Sequence, residues 1–162
     1  MIDTAGKVLS DSTVGPWRDA LRAAGRRLVV TNGCFDLLHV GHVSYLEAAR
    51  SLGDALLIGL NGDDSVRRLK GPTRPLNTEN DRARVLAALG CVDAVMIFPE
   101  VRATRFLGVV RPDIYVKGGD YTLATIDQDE RGAVEHGGGV IRFISFVPGK
   151  STTGILQRIQ AV

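Results

Sequence analysis

Cysteine is scarce in this chain: Cys34 and Cys91 are the only two among 162 residues. Two cysteines make no disulfide framework, and without an export signal a reducing, cytoplasmic setting is expected. The opening Met-Ile-Asp-Thr-Ala-Gly-Lys has no apolar signal region. No apolar run approaches the ~18–20 residues that cross a bilayer, so no membrane partner is expected. No basic run occurs and the net charge is only +2, so composition gives no argument for nucleic acid. The first strand–helix turn lacks G-x-G-x-x-G, and no acidic residue follows ~20 residues on in the required context. Both absences exclude an NAD-dependent dehydrogenase. There is no internal repeat, low-complexity tract or linker, so residues 1–162 are expected to form one domain large enough to bury a core.

Glycine, by contrast, is abundant at 19 residues and gathers at strand ends and loops, where backbone must approach a ligand closely. Residues 1–13 are polar and are expected to be partly mobile. A first helix is expected from Gly15-Pro16, with Trp17, Ala20, Leu21 and Ala24 on one face and Gly25 as its stop. Apolar, β-branched runs predict strands at 28–31, 55–60, 94–98, 114–116 and 140–146. Between them, helices are expected from a cap at Asp63 or Asp64 to about 69, and from Asn77 or Thr78 to 89. Others are expected at 104–110, within 127–136, and from 151 to about 160. Residues 70–77 read as a Pro/Gly loop, and 117–121 as a second glycine loop at a strand end. Five strands alternating with helices predict a doubly wound parallel sheet in the α/β class. Ligands of such sheets bind beyond the carboxyl ends of the strands, where strand order reverses.

The densest chemistry lies between Leu28 and His42. An apolar strand ends at Asn32-Gly33, a short loop follows, and His39 and His42 flank Gly41 where the next helix opens. Backbone N–H groups and the positive dipole end make that place suited to anions, and imidazoles three residues apart can act on one phosphate together. Isolated, H-x-G-H also fits two capping or surface histidines. A zinc site would need further ligands, but only His136 remains and the cysteines have no ligand spacing. A second candidate is Lys150-Ser151-Thr152-Thr153 at the start of the last helix. Its hydroxyls, free N–H groups and one charge suit the β- and γ-phosphates of a nucleoside triphosphate. A plain N-cap uses one Ser or Thr, and here three stand in a row.

Thr31-Asn32-Gly33-Cys34-Phe35-Asp36, His39-Val40-Gly41-His42 and the Ser/Thr-rich start of the last helix together resemble the cytidylyltransferase-like nucleotidyltransferase superfamily. Residues 81–89, Val92-Asp93, Arg111-Pro112-Asp113 and Val116-Lys117-Gly118-Gly119-Asp120-Tyr121 narrow this. With Val147-Pro148-Gly149-Lys150-Ser151-Thr152-Thr153, they look like the heptose 1-phosphate adenylyltransferases of ADP-heptose synthesis, over about residues 15–160. In some bacteria that activity is half of a protein fused to a sugar kinase. With 27 residues before the first expected strand, the stand-alone type is expected here.

The resemblance implies a Rossmann-like, HIGH-type fold and the conversion of ATP and heptose 1-phosphate to ADP-heptose and pyrophosphate, for lipopolysaccharide or surface-glycan precursors. The sugar phosphate attacks the α-phosphorus in line; it is already an anion, so positioning and charge stabilisation are the work required. His39 and His42 are assigned to the phosphates, and Thr31, Asn32, Gly33, Cys34, Phe35 and Gly41 to the nucleotide. Cys34 is not expected to be a nucleophile, because the chemistry needs none. Mg²⁺ is expected with ATP, held by phosphate oxygens and water rather than by direct protein ligands. Asp36 either orients it through water or caps a turn, the cap being favoured.

Lys117, after a buried strand and before Gly118-Gly119, points to the acceptor phosphate. Asn61, Arg74, Asp120 and the two glycines are further substrate candidates. Arg82 and Arg84 are candidates for gripping phosphate by resemblance. They lie roughly 200° apart on one helix at ~100° per residue, so only one can face the site. A homodimer or higher homo-oligomer is the expected assembly. The alternatives are another nucleotidylyltransferase of the same motif, such as glycerol-3-phosphate cytidylyltransferase, and a non-catalytic nucleotide sensor.

Overall fold

The computed structural model describes residues 3–145 and 148–161. After a 3-10 turn at Ala5–Lys7, the elements are β1 (Val8–Leu9), α1 (Asp11–Ala23), β2 (Leu28–Gly33), α2 (Val40–Arg50), β3 (Ala55–Asn61) and α3 (Asp63–Lys70). They continue as α4 (Glu79–Ala87), β4 (Ala94–Phe98), α5 (Thr104–Val110), β5 (Ile114–Gly118), α6 (Gln128–His136), β6 (Val140–Ile144) and α7 (Thr152–Gln160). The strands form one sheet in the order β1-β4-β3-β2-β5-β6, every pair parallel.

The sheet therefore has six strands rather than five. The additional strand is Val8–Leu9, paired with Val95 and Met96 at the edge. Two residues are too short to register as a pattern. The first helix also begins at Asp11, five residues before the Pro16 that its Gly-Pro signal puts at the first helical position. Ser10 takes the N-cap position, and its N–H donates to Thr13 Oγ1 at 2.8 Å. That local bond starts the helix at Asp11 and leaves Pro16 inside it. The expected reach of the last strand to Phe146 falls outside the described residues.

The strands separate two apolar layers by their period of two. In β3, Leu56, Ile58 and Leu60 join Val29, Leu46 and Leu86 on the face covered by α2 and α4. Ala55 and Leu57 join Leu28, Val30, Phe106 and Val134 on the face covered by α1, α5 and α6. All seven residues of β3 are buried, which is why its sequence reads as an unbroken apolar run. Fully burying each such Leu or Ile contributes about 1.5–3 kcal/mol. No helix among the described residues is long and apolar enough to cross a membrane.

Candidate active site

From β2 the chain builds outward through β3 to β4, then returns to place β5 and β6 on the other side of β2. Strand order therefore reverses between β2 and β5, and a parallel sheet opens a crevice at that point. A cavity of about 600 Å³ lies there. Its wall includes Asn32 to Asp36, His39, Gly41 and His42 after β2, Asn61 after β3, and Lys117 and Gly118 at the end of β5. Lys150, Ser151, Thr152 and Thr153 close it from the start of α7.

His39 is the N-cap of α2, and His42 stands three residues on. Their rings stack with centroids 3.9 Å apart. The His39 N–H donates to His42 Nδ1 at 3.3 Å. A neutral His42 that accepts at Nδ1 carries its proton on Nε2, which makes that nitrogen a donor. Burial, and then the neighbouring His39, lower the His42 pKa to about 4. At neutral pH His42 is thus an uncharged hydrogen-bond donor at a helix N-terminus. A Cβ on Gly41 would lie 3.0 Å from the His39 ring and 3.1 Å from Lys150 Cβ. Glycine between the histidines lets the two motifs approach each other. Phe35 turns the connecting loop with φ 42° and sets its ring 5.4 Å from that of His42.

The Ser/Thr-rich segment divides its duties. Ser151 caps α7, its Oγ accepting from the Gly154 N–H at 3.0 Å. Thr152 Oγ1 donates to the Leu37 carbonyl at 3.1 Å, tying α7 to the loop that leads into the histidines. Thr153 makes no side-chain hydrogen bond among the described residues and faces the cavity.

Lys117 occupies the other side. Its Nζ lies 3.0 Å from Glu130 Oε2 and donates to Asn32 Oδ1 at 3.2 Å. The Tyr115 hydroxyl lies 2.7 Å from Asn32 Oδ1 and 2.9 Å from Glu130 Oε2. Burial and the Glu130 carboxylate push the Tyr115 pKa far up, so this hydroxyl keeps its proton. Lys117 and Gly118 belong to β5 itself rather than to the loop expected from the sequence.

Asp36 anchors the 70–77 loop beneath the cavity. Its carboxylate accepts from Arg74 Nε at 2.6 Å and from the N–H groups of Leu76 and Asn77 at 2.9 and 3.1 Å. Burial alone would raise its pKa, but the Leu76 N–H, Arg74 and the Asn77 N–H together hold it below the usual value. The carboxylate therefore ties the 70–77 loop to the end of β2, and it sets Arg74 on the cavity wall. Asn61 is buried and donates through Nδ2 to Ser65 Oγ at 2.8 Å. Burial raises the Cys34 thiol, which stays protonated.

Five candidates are not brought to the wall. Thr31 is fully buried, with its hydroxyl 2.7 Å from that of Tyr45. Arg82 is spent on structure: it donates to the carbonyls of Cys34, Asn61 and Asn77 at 2.6, 3.0 and 3.1 Å, and to the Asp63 carboxylate at 2.7 Å. With its guanidinium so engaged, it ties the loops after β2 and β3 to α4. Arg84 is exposed on another face of α4. Gly119, at φ 97°, turns the chain after β5 and donates its N–H to the Ile144 carbonyl, and Asp120 is exposed beyond it.

Wall residues that the sequence reading passed over are Tyr45, Leu69, Lys70, Val101, Tyr121 and Glu130. Glu130 carried a readable signal. Glu130 and Val134 stand at i and i+4, so an acid sits on the buried face of α6. As for a metal, no three His, Cys, Asp or Glu side chains converge among the described residues. The two carboxylates on the wall, Asp36 and Glu130, are both taken by cations. The described side chains thus offer no direct metal cage.

Comparison with known proteins agrees with this geometry. The family model described as cytidylyltransferase-like matches residues 30–156. The bifunctional protein HldE of Syntrophotalea carbinolica is 54% identical over 88% of this chain and 29% of its own length. That of Pelobacter propionicus is 49% identical over 97% of this chain and 32% of its own. The chain thus spans about a third or less of these curated relatives. Among solved structures, a lipopolysaccharide core biosynthesis protein from Thermoplasma volcanium superposes with a TM-score of 0.61 at 29% identity. That match covers 76% of this chain and 98% of the other. With both motifs meeting at the strand-order reversal and the family match spanning them, the chain belongs to the cytidylyltransferase-like family of nucleotidyltransferases.

Proposed function

We propose that this chain is a single adenylyltransferase domain that joins ATP to heptose 1-phosphate, giving ADP-heptose and pyrophosphate. The observation that carries it is the cavity itself. A neutral His42 donor beside His39, the cationic start of α7, and Lys117 surround one space at the switch point. The acceptor identity rests on the resemblance in residues 81–121 and on the HldE relatives, whose greater length suits a two-activity protein.

In this reading the triphosphate lies between the N-termini of α2 and α7. Thr153, the backbone N–H groups and Lys150 hold its β- and γ-phosphates. His39 and His42 donate to the α-phosphoryl oxygens and to the leaving oxygen as charge builds there. Lys117 holds the acceptor phosphate for in-line attack on the α-phosphorus. A bond forms from the acceptor oxygen to phosphorus, and the bond to the pyrophosphate oxygen breaks. No general base is asked for, since the acceptor is an anion near pH 7. No described side chain would need to ligate Mg²⁺; bound together with ATP, it would offset the triphosphate charge. The product is a precursor for lipopolysaccharide or a related surface glycan, made in the cytoplasm.

A pyrophosphate-release assay tests this with ATP or CTP against heptose 1-phosphate and glycerol 3-phosphate. Release from ATP with heptose 1-phosphate alone is expected. Turnover only of CTP with glycerol 3-phosphate would overturn the assignment. Binding of ATP with no release from any pair would make the chain a sensor.

A further inference from the structure

Glu130 is a carboxylate only 5% exposed, and the chemistry proposed above gives it no task. It stands at the junction of four elements. Oε1 accepts the Ala103 N–H at 2.9 Å, just before α5. Oε2 lies 2.9 Å from the Tyr115 hydroxyl and 3.0 Å from Lys117 Nζ. Asn32, at the end of β2, meets the same ammonium and the same hydroxyl.

We infer that Glu130 is the positioning residue for Lys117, holding its ammonium in the place from which it meets the acceptor phosphate. This rests on the adenylyltransferase reading. A lysine ammonium rides on a flexible four-carbon stem with ~2 kcal/mol of rotamer entropy. Left to itself it would sample the cavity rather than wait at one point. Glu130 and Asn32 provide two fixed acceptors for it, and Glu130 is itself held from both oxygens. Asn32 belongs to the strand that leads to His39 and His42. The same frame therefore sets the acceptor-side cation and the histidines.

A carboxylate is needed for this, and an amide would not serve. Glu130 accepts on both oxygens at once. Glutamine has one acceptor oxygen; with that oxygen on the Ala103 N–H, its NH₂ group would face the Lys117 ammonium, donor against donor.

The test is a double-mutant cycle in the full chain with Glu130→Gln, Lys117→Met and both together. Turnover of ATP with heptose 1-phosphate and thermal unfolding are the two readouts. Glu130→Gln is expected to lower kcat by about 100-fold, the scale of a misplacement near 1 Å, with the KM for ATP within about threefold. The double variant should lose no more kcat than Lys117→Met, because Glu130 acts only through the lysine. It should also unfold at a higher temperature than Lys117→Met, which leaves a buried carboxylate without its cation. Losses that multiply, or a Glu130→Gln enzyme with normal kcat, would overturn the proposal. Should Glu130→Gln fail to fold, the kcat arm of the cycle is repeated with Glu130→Asp, because the shorter acid cannot span Ala103 and Lys117 together. The thermal arm needs no substrate. If the unsubstituted enzyme releases no pyrophosphate, the acceptor assignment falls, and the unfolding temperatures still decide the Glu130–Lys117 coupling.

Discussion

Gly41→Ala is the sharpest probe of the site, because its backbone and steric effects point in opposite directions. Gly41 is the second residue of α2 and has helical backbone, so alanine is conformationally welcome there. Helix propensity favours alanine by up to about 1 kcal/mol. The new methyl, however, would sit 3.0 Å from Cε1 and Nδ1 of His39 and 3.1 Å from Lys150 Cβ. Ordinary contact begins several tenths of an ångström further out, so the His39 ring or the Lys150 segment must give. Overpacking of this kind costs about 1–3 kcal/mol, which leaves a net destabilisation of about 0–2 kcal/mol. For a chain of this size that lowers Tm by no more than about 8 °C. Catalysis should suffer far more. If a 1 Å misplacement costs about 100-fold, half that distance costs about tenfold, and both halves of the phosphate clamp are displaced. We therefore expect kcat for pyrophosphate release to fall about 10- to 100-fold while the fold survives. A Gly41→Ala enzyme within twofold of normal kcat would refute the claim that this glycine sets the clamp spacing. A collapse in Tm with normal kcat per folded molecule would make its role structural instead.

His42→Ala should lower kcat by about 10²–10³-fold, the scale of one oxyanion donor. ATP affinity by calorimetry should stay within about threefold, since the bond strengthens in the transition state; unchanged turnover would remove His42 from the mechanism. The same residue sets an acid limit on stability. It takes a proton near pH 6.5 when unfolded but only near 4 when folded. Between those values the unfolded chain binds more protons, so stability falls as pH drops from about 6.5 towards 4. With solvent screening the loss is about 1–2 kcal/mol. Tm measured from pH 8 to 4 should show this slope, and His42→Asn should flatten it; an equal slope in both would place its source elsewhere. Arg82→Met should destabilise by about 3–5 kcal/mol in denaturant titration, because it strands Asp63 and three carbonyls. A change below 1 kcal/mol would show that these bonds are replaceable by water.

The sheet and its switch point were legible because β3 and β4 are long, apolar and buried, and because the helices between strands carry clear stops. Val8–Leu9 was not legible, since a two-residue edge strand exists only through its pairing with β4. The start of α1 was hidden behind Gly15-Pro16, a signal that the Ser10–Thr13 bond overrides. Within the site, the two histidines and the segment at 150–153 were readable as motifs on helix N-termini. Arg82 and Arg84 were separable by angle, but which one turned inward was not, and neither was the purpose of burial. The inward arginine turned out to serve four protein acceptors. Glu130 was passed over, because its partner lies 13 positions away and meets it only through the sheet. Charge pairs made by tertiary contact leave no periodic trace in the chain.

If the cavity is the phosphate site proposed above, the charges around it explain how a nearly neutral protein would make one. Lys70, Arg74, Lys117 and Lys150 line it, against Asp36 and Glu130. Arg74 and Lys117 are each paired with one of those acids, whereas Lys70 and Lys150 form no ion pair among the described residues. The two kinds of cation do different work. A paired cation is held in position before substrate arrives, so it costs little reorganisation during the reaction. An unpaired one supplies net attraction, focused by the low-dielectric walls. The wall therefore carries a surplus of two positive charges, comparable to the net negative charge of a triphosphate with one divalent ion bound. Neutral His42 adds directed donors without adding to that surplus. A fully cationic cavity would bind triphosphate and pyrophosphate too tightly to release product. In the proposed mechanism, pairing half of the cations and keeping His42 uncharged would reserve the strongest interactions for the moment when charge moves onto the leaving oxygen.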